Sequence, residues 1–217
     1  MPSSPPPPRR QRLSPADRRA QLLEVGARCF AEQPYEAVMM DEVARRAGVS
    51  RALLYRHFPS KHALFAAVYQ EAADRLLATT RIDPAVPLRE QLVQGMEVHL
   101  DYFVANSNAV LAANRVLAGD PVIQTIMTGE LDALRARLLT VLPLADDTAR
   151  AAVSSVLRSW LVFVQVLVVD WLTEPTCSRD RLRDICVESA LGALRPLLPA
   201  DTDQHQHQHP GTPTRDA

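Results

Sequence analysis

The chain has 217 residues, 47% of them apolar, with 24 Lys and Arg against 25 Asp and Glu. That is enough apolar mass for one large or two small packed domains, and too much for a disordered chain. The near-neutral total hides an asymmetry: residues 1–65 hold 11 Lys and Arg against 6 Asp and Glu, and residues 66–217 hold 13 against 19.

A basic first part joined to an acidic remainder points to the N-terminal part as the one that meets a polyanion. Cys29, Cys177 and Cys186 have no paired spacing. They form neither a zinc motif nor a disulfide framework, and they fit a reducing compartment. The Pro-rich start lacks the apolar run of a leader, and the apolar run at residues 160–169 is about half a membrane span and contains Gln165. The expectation is a cytoplasmic protein with no membrane segment.

Residues 1–13 combine Pro5–Pro8 with Arg9, Arg10 and Arg12. Such a composition forms no core, and reads as a disordered basic arm, either solvated or touching DNA. Order is expected from Ser14, a strong N-cap followed by Pro15 and by Asp17 in the first turn. Leu22, Leu23, Gly26, Ala27 and Phe30 then recur at helical spacing. A short helix follows over 41–47, Gly48 breaks it, and a third begins after Ser50. Ser60 caps a fourth helix over 61–79, with Leu64, Phe65, Val68, Ala72 and Leu76 inward. Five more helices are expected: 88–105; a shorter one over 109–117; one after Asp120-Pro121 to about residue 142; a long, very apolar one from 146 or 147 to about 172; and one after Ser178 ending between 194 and 198. The fold class is all-α, with about nine helices. The polar residues 201–217 are expected to be a disordered tail, whose His205, His207 and His209 suit weak metal binding.

Residues 39–65, MMDEVARRAGVSRALLYRHFPSKHALF, carry the chemistry. Val43, Ala44 and Ala47 share one face of a short helix. Gly48 tolerates the positive φ of a sharp turn, and Leu54 lies on the packed face of the next helix. Arg51, Ala52, Leu53, Tyr55 and Arg56 are left pointing mostly outward, which is the layout of a helix-turn-helix.

The segment closely resembles the TetR family of regulators. The matching residues are Val43-Ala44, Ala47-Gly48-Val49-Ser50, Leu54-Tyr55-Arg56-His57-Phe58, Ser60-Lys61 and Leu64-Phe65. Two positions depart from the family pattern. Met39 replaces the usual Thr cap of the second helix, where Asp41 partly compensates through the helix dipole, and Ala52 replaces a common Gly. The resemblance implies a three-helix DNA-binding domain over 14–62, followed over 63–200 by a larger helical domain for effector binding and dimerisation. Tyr55, His57 and Lys61 match family positions that hold phosphates or the groove edge. Arg51 suits a bidentate contact to guanine, and Leu53 a thymine methyl. Arg56 is either a phosphate contact or a solvated charge.

The apolar sequence around 160–169 reads as a helix buried on every side; with the last helix it is the expected dimer surface. The resemblance places an effector pocket among the middle helices, for which Met96, His99, Phe103, Met127, Trp160 and Gln165 mix apolar bulk with a few polar groups. The implied function is a sequence-specific transcriptional regulator, a repressor released from a pseudo-palindromic double-stranded operator by an unknown small molecule. A TetR-like activator, or a helical metal- or small-molecule-binding protein, are the alternatives. No catalytic constellation, cofactor motif or metal-binding pair is recognisable, so an enzyme is not expected.

Overall fold

The computed structural model describes residues 13–199; the expected basic arm and His-rich tail lie outside them, save Leu13. Among the described residues there are nine α-helices and no strand: α1 (Pro15–Glu32), α2 (Met40–Arg46), α3 (Arg51–His57), α4 (Lys61–Thr79), α5 (Leu88–Ala105), α6 (Ser107–Leu111), α7 (Pro121–Val141), α8 (Asp147–Thr173) and α9 (Arg179–Leu194). Ser14, Ser50, Asp146 and Ser178 each accept a hydrogen bond from the backbone N–H three residues on, capping α1, α3, α8 and α9.

The chain forms two compact units. One takes the residues up to 75 together with 104–126. Its core is built on α1, where Leu22, Val25, Gly26, Cys29 and Phe30 are buried. The buried face therefore includes Val25 and Cys29, where the sequence pattern suggested Leu23 and Ala27. Gly26 lets α4 approach closely, since a Cβ there would lie 3.1 Å from Leu64 Cδ1. Phe65 is the centre of an aromatic cluster: its ring meets Phe30 edge-on at 5.0 Å and Tyr35 at 5.2 Å, and stacks on Tyr69 at 5.9 Å. Asn108 donates to the Ala31 carbonyl (2.8 Å), tying the 104–126 segment to α1.

That segment departs from the single helix expected over 109–117. After α6 the backbone widens into a π-helical turn, Ala112–Val116, closed by Leu117 N–H to the Ala112 carbonyl (2.8 Å). The Asn114 side-chain amide donates to the Val110 carbonyl (2.9 Å), the acceptor an α-helix would give to the Asn114 N–H. Such competition displaces regular bonding. A 3₁₀ turn, Tyr35–Ala37, was also not anticipated.

The other unit takes 76–103 and the residues from 127 onward. Buried Trp160 of α8 donates its indole N–H to the Cys186 carbonyl of α9 (2.9 Å). Arg179 and Arg183 of α9 clasp Glu97 of α5 at 2.5 and 2.7 Å, and Arg89 pairs with Glu188 at 2.5 Å. Arg137 of α7 donates to the Leu77 and Thr80 carbonyls, which the end of α4 leaves without helical partners.

Two features of α8 bear on what the sequence suggested for it. Within one chain it is not buried on every side: Val162, Phe163 and Val166 are 47%, 42% and 56% exposed, and Ile185 of α9 is 37% exposed. Residues 162, 163 and 166 fall on one stripe by their three- and four-residue spacing. By length and composition α8 also suffices to cross a membrane. The apolar character extends past 160–169 in both directions, interrupted by Arg158 before it and Asp170 after it. The same composition suits a helix that packs on its own chain, as α8 does through Val153, Leu157, Trp160 and Val168.

Candidate nucleic-acid interface

The site begins with α2. Met39 occupies its N-cap position but offers no side-chain hydrogen bond, and its side chain is 63% exposed. Met40, by contrast, is buried. The first-turn acids Asp41 and Glu42 favour the positive helix end in place of a polar cap. Val43, Ala44 and Ala47 are buried, as the pattern required. Gly48 then adopts φ +65°, and a Cβ there would meet nothing within 4 Å. Its glycine is therefore a conformational need and no matter of space. The turn is closed by Gly48 N–H to the Arg45 carbonyl (3.1 Å) and Val49 N–H to the Ala44 carbonyl (3.0 Å).

Helix α3 starts at once. Leu54 is fully buried and fixes its rotation. Arg51, Ala52, Tyr55 and Arg56 are exposed, and Leu53 and His57 half-buried. Of the five residues expected to face outward, four are exposed and Leu53 is half-buried. His57 lies beside Phe58, with ring centroids 6.5 Å apart. The Arg51 guanidinium pairs through Nε with Asp41 Oδ1 of α2 at 2.8 Å.

The other cations are more engaged than their sequence positions suggest. Glu42 bridges Arg45 (2.6 Å) and Arg46 (2.8 Å), and Arg46 also reaches Glu32. Those hydrogen bonds hold the Glu42 carboxyl down to about 2. Lys61, at the start of α4, donates Nζ to the Tyr35 (2.9 Å) and Glu36 (3.1 Å) carbonyls and lies 4.6 Å from the Tyr35 ring centroid. It braces the 3₁₀ turn, with one ammonium proton left. Arg19 of α1 lies over Phe58 at 4.6 Å. The Asp41–Arg51 pair spans ten positions with no periodic signal, and the sequence reading missed it.

The residues named for an effector pocket belong to the other unit. Met96, Phe103 and Trp160 are buried, and His99, Met127 and Gln165 half-buried. Of these, His99 and Phe103 come together, with ring centroids 3.9 Å apart. The His99 Nε2 is buried without a hydrogen-bond partner, and burial pushes its imidazole down to about 4, so the ring is neutral. Burial also pushes Glu130, on α7, up to about 7. Among the described residues no three His, Cys, Asp or Glu side chains converge in a way that would hold a metal ion.

A short helix, a left-handed glycine corner and a second helix presenting Arg, Ala, Tyr and Arg to solvent define a helix-turn-helix, with helices as the regular elements among the described residues. Residues 22–68 match the model for bacterial regulatory proteins of the tetR family. The chain is 38% identical over 101 residues to the HTH-type transcriptional activator FasR of Mycolicibacterium smegmatis, covering 46% of each. It is 30% identical over 131 residues to the HTH-type transcriptional regulator RutR of Escherichia coli, covering 58% of this chain and 60% of that one. The matches thus span about half the length of these curated relatives. The fold is that of a tetR-family regulator from Streptomyces coelicolor (TM-score 0.76, 24% identity, 89% of this chain and 86% of that one). Residues 22–68 thus carry the likeness to bacterial regulatory proteins of the tetR family, and the fold as a whole agrees with it.

Proposed function

We propose that this chain is a sequence-specific, DNA-binding transcriptional regulator, acting as a dimeric repressor that a small molecule releases from its operator. The observation that carries the reading is α3: Leu54 is fully buried while Arg51, Ala52, Tyr55 and Arg56 face solvent next to the Gly48 corner. Residues 14–62 read DNA in the cytoplasm, and residues 63–200 bind the effector and the second subunit. Arg51 contacts guanine O6 and N7, and Leu53 a thymine methyl. Ala52 packs against the groove, while Tyr55, Arg56, His57 and the free ammonium proton of Lys61 hold phosphates or the groove edge.

A single head reads too few base pairs to select one site, and a two-fold dimer reads two half-sites. The exposed stripe of Val162, Phe163 and Val166, with Ile185 beside it in sequence order on α9, supports a second copy as its cover. The effector is taken up near Met96, His99, Phe103, Met127, Trp160 and Gln165. It shifts the population to a state whose heads no longer match the operator; a coupling of about 1–3 kcal/mol lowers DNA affinity roughly 5- to 150-fold.

Binding titrations at several salt concentrations test the reading. Arg51→Ala weakens cognate binding selectively, and Lys61→Ala weakens binding on all sequences and flattens the salt dependence. Equal loss on cognate and random DNA for Arg51→Ala would refute base reading. The activator reading is favoured by the name of one relative, FasR. A reporter assay with the gene deleted separates the two: derepression of the target marks a repressor.

A further inference from the structure

We infer that Asp41 is a specificity-determining positioning residue: it holds the Arg51 guanidinium toward base edges and keeps it off the phosphates. The inference rests on the reading of Arg51 as a base contact. Three features of the site carry it. Asp41 and Arg51 sit on the two helices of the motif, in the first turn of α2 and at the first position of α3, and they meet at 2.8 Å between Oδ1 and Nε. Both remain exposed, with side-chain accessibilities of 56% and 66%. Of the five guanidinium N–H donors, the one on Nε faces the carboxylate. The terminal fork of two nitrogens is left for the parallel acceptors O6 and N7 of a guanine.

The carboxylate acts through two effects. A free arginine side chain is flexible and loses much rotamer freedom on ordering, and a partner at Nε removes part of that loss before DNA arrives. The carboxylate is also repelled by phosphate. An arginine tethered to it gains little from swinging to the backbone, the sequence-independent alternative open to every cation at this surface. As an exposed ion pair it adds little to folding; its effect is on discrimination. Arg45 and Arg46 differ in this respect. They share Glu42 within α2 or reach Glu32 of α1, whereas the Arg51 pair alone links α2 to the first residue of α3.

The test is selection of bound duplexes from a randomised pool by the full chain, read base pair by base pair. Arg51→Ala first identifies the base pair whose guanine preference is lost. Asp41→Asn, which keeps the shape and removes the charge, is expected to lower the guanine preference at that same base pair by about tenfold. Binding to random duplex at low salt stays level or rises, since a negative charge has left the interface. Asp41→Glu restores part of the preference, and the double variant is no less selective than Arg51→Ala alone. Three results would overturn the inference: loss of preference at a different base pair, which would make Asp41 itself a reader of a cytosine amino group; cognate and random binding falling in step with the melting temperature, as a simple helix-dipole role predicts; or an unchanged preference. If Arg51→Ala alters no base preference, the base-reading assignment fails first, and is seen to fail separately.

Discussion

The two units use buried groups in opposite ways. In the unit that carries the helix-turn-helix, the large buried side chains are apolar and aromatic, centred on Phe65 with Phe30 and Tyr69 and flanked by half-buried Tyr35. Polar groups there are paired: Glu42 with its two arginines at the surface, His62 with Asp120 at 2.9 Å, and the Asn108 amide with the Ala31 carbonyl. In the other unit, His99, Glu130 and Trp160 bring polar atoms into the interior; the indole has a partner at Cys186, and burial shifts both His99 and Glu130 away from their charged forms. The first arrangement suits a rigid reading head. The second leaves hydrogen-bonding capacity unspent, as the proposed small-molecule site requires.

The largest expected effect tests the rigid side of this contrast. Phe65→Ala removes the shared ring of the aromatic cluster and should cost about 3–5 kcal/mol of stability, read as the shift of a urea midpoint. A cost under about 1 kcal/mol would mean that the cluster relaxes as readily as a surface patch.

Next comes Glu130, whose sign is opposite. Its carboxyl titrates near 7 in the fold, above the ordinary 4.5. Below about pH 4.5 folded and unfolded chains both hold the proton, and nothing is lost. As pH rises toward 7 the unfolded chain ionises first, so stability falls, and the full penalty is present above 7. Glu130→Gln should therefore stabilise the protein at pH 8 by up to about 3 kcal/mol and leave it unchanged at pH 4. His99 runs the other way. Its imidazole is pushed below the ordinary 6.5, so its contribution is complete above 6.5 and is lost as pH falls toward 4. In wild type the two slopes oppose each other between about 4.5 and 6.5; Glu130→Gln should expose a positive slope there. Equal stabilisation at pH 4 and pH 8 would show that the gain comes from packing and not from the proton.

Trp160→Phe keeps most of the ring and deletes the indole N–H that the Cys186 carbonyl accepts. The Cys186 carbonyl keeps a hydrogen bond from Ser189 Oγ at 2.8 Å, so the variant loses one net hydrogen bond and some ring volume, about 1–2 kcal/mol. Calorimetry on the variant checks this, and a loss below about 0.5 kcal/mol would indicate that another donor replaces the indole.

How far each unit was legible in the sequence follows from the same contrast. The helix limits of α4, α5, α7 and α8 could be read almost to the residue, because Ser60, Asp120 and Asp146 are side-chain caps and Pro87, Pro121 and Pro143 are punctuation. The solvent-facing side of α3 was legible too, since one fully buried Leu54 on a seven-residue helix leaves little freedom in its rotation. What stayed hidden depends on contacts remote in sequence. The π-helical turn at Ala112–Val116 arises from the Asn114 amide competing for the Val110 carbonyl. The brace from Lys61 to Tyr35 and Glu36 spans about 25 positions. The exposed stripe on α8 could not be told from core by composition, because Phe163 and Leu161 are equally apolar and differ only in which way the helix turns them.

The smallest effects come from a pair of glycines, one in each unit, and they sharpen the comparison because space is not a variable. A Cβ at Gly48 or at Gly95 would meet nothing within 4 Å. Gly48 sits at φ +65°, in the left-handed region, whereas Gly95 lies inside α5. Gly48→Ala should cost about 1–2 kcal/mol, since a side chain there clashes with its own backbone. It should also loosen the corner that orients α3, so DNA affinity falls further than stability alone explains. Gly95→Ala should gain about 0.5–1 kcal/mol, because alanine loses less backbone entropy than glycine in a helix. The two melting curves should therefore move in opposite directions. If both variants destabilise, Gly95 serves close packing around the site in its unit; if neither does, the Gly48 corner yields to an ordinary turn and the orientation of Arg51 is less tightly specified than the reading function needs.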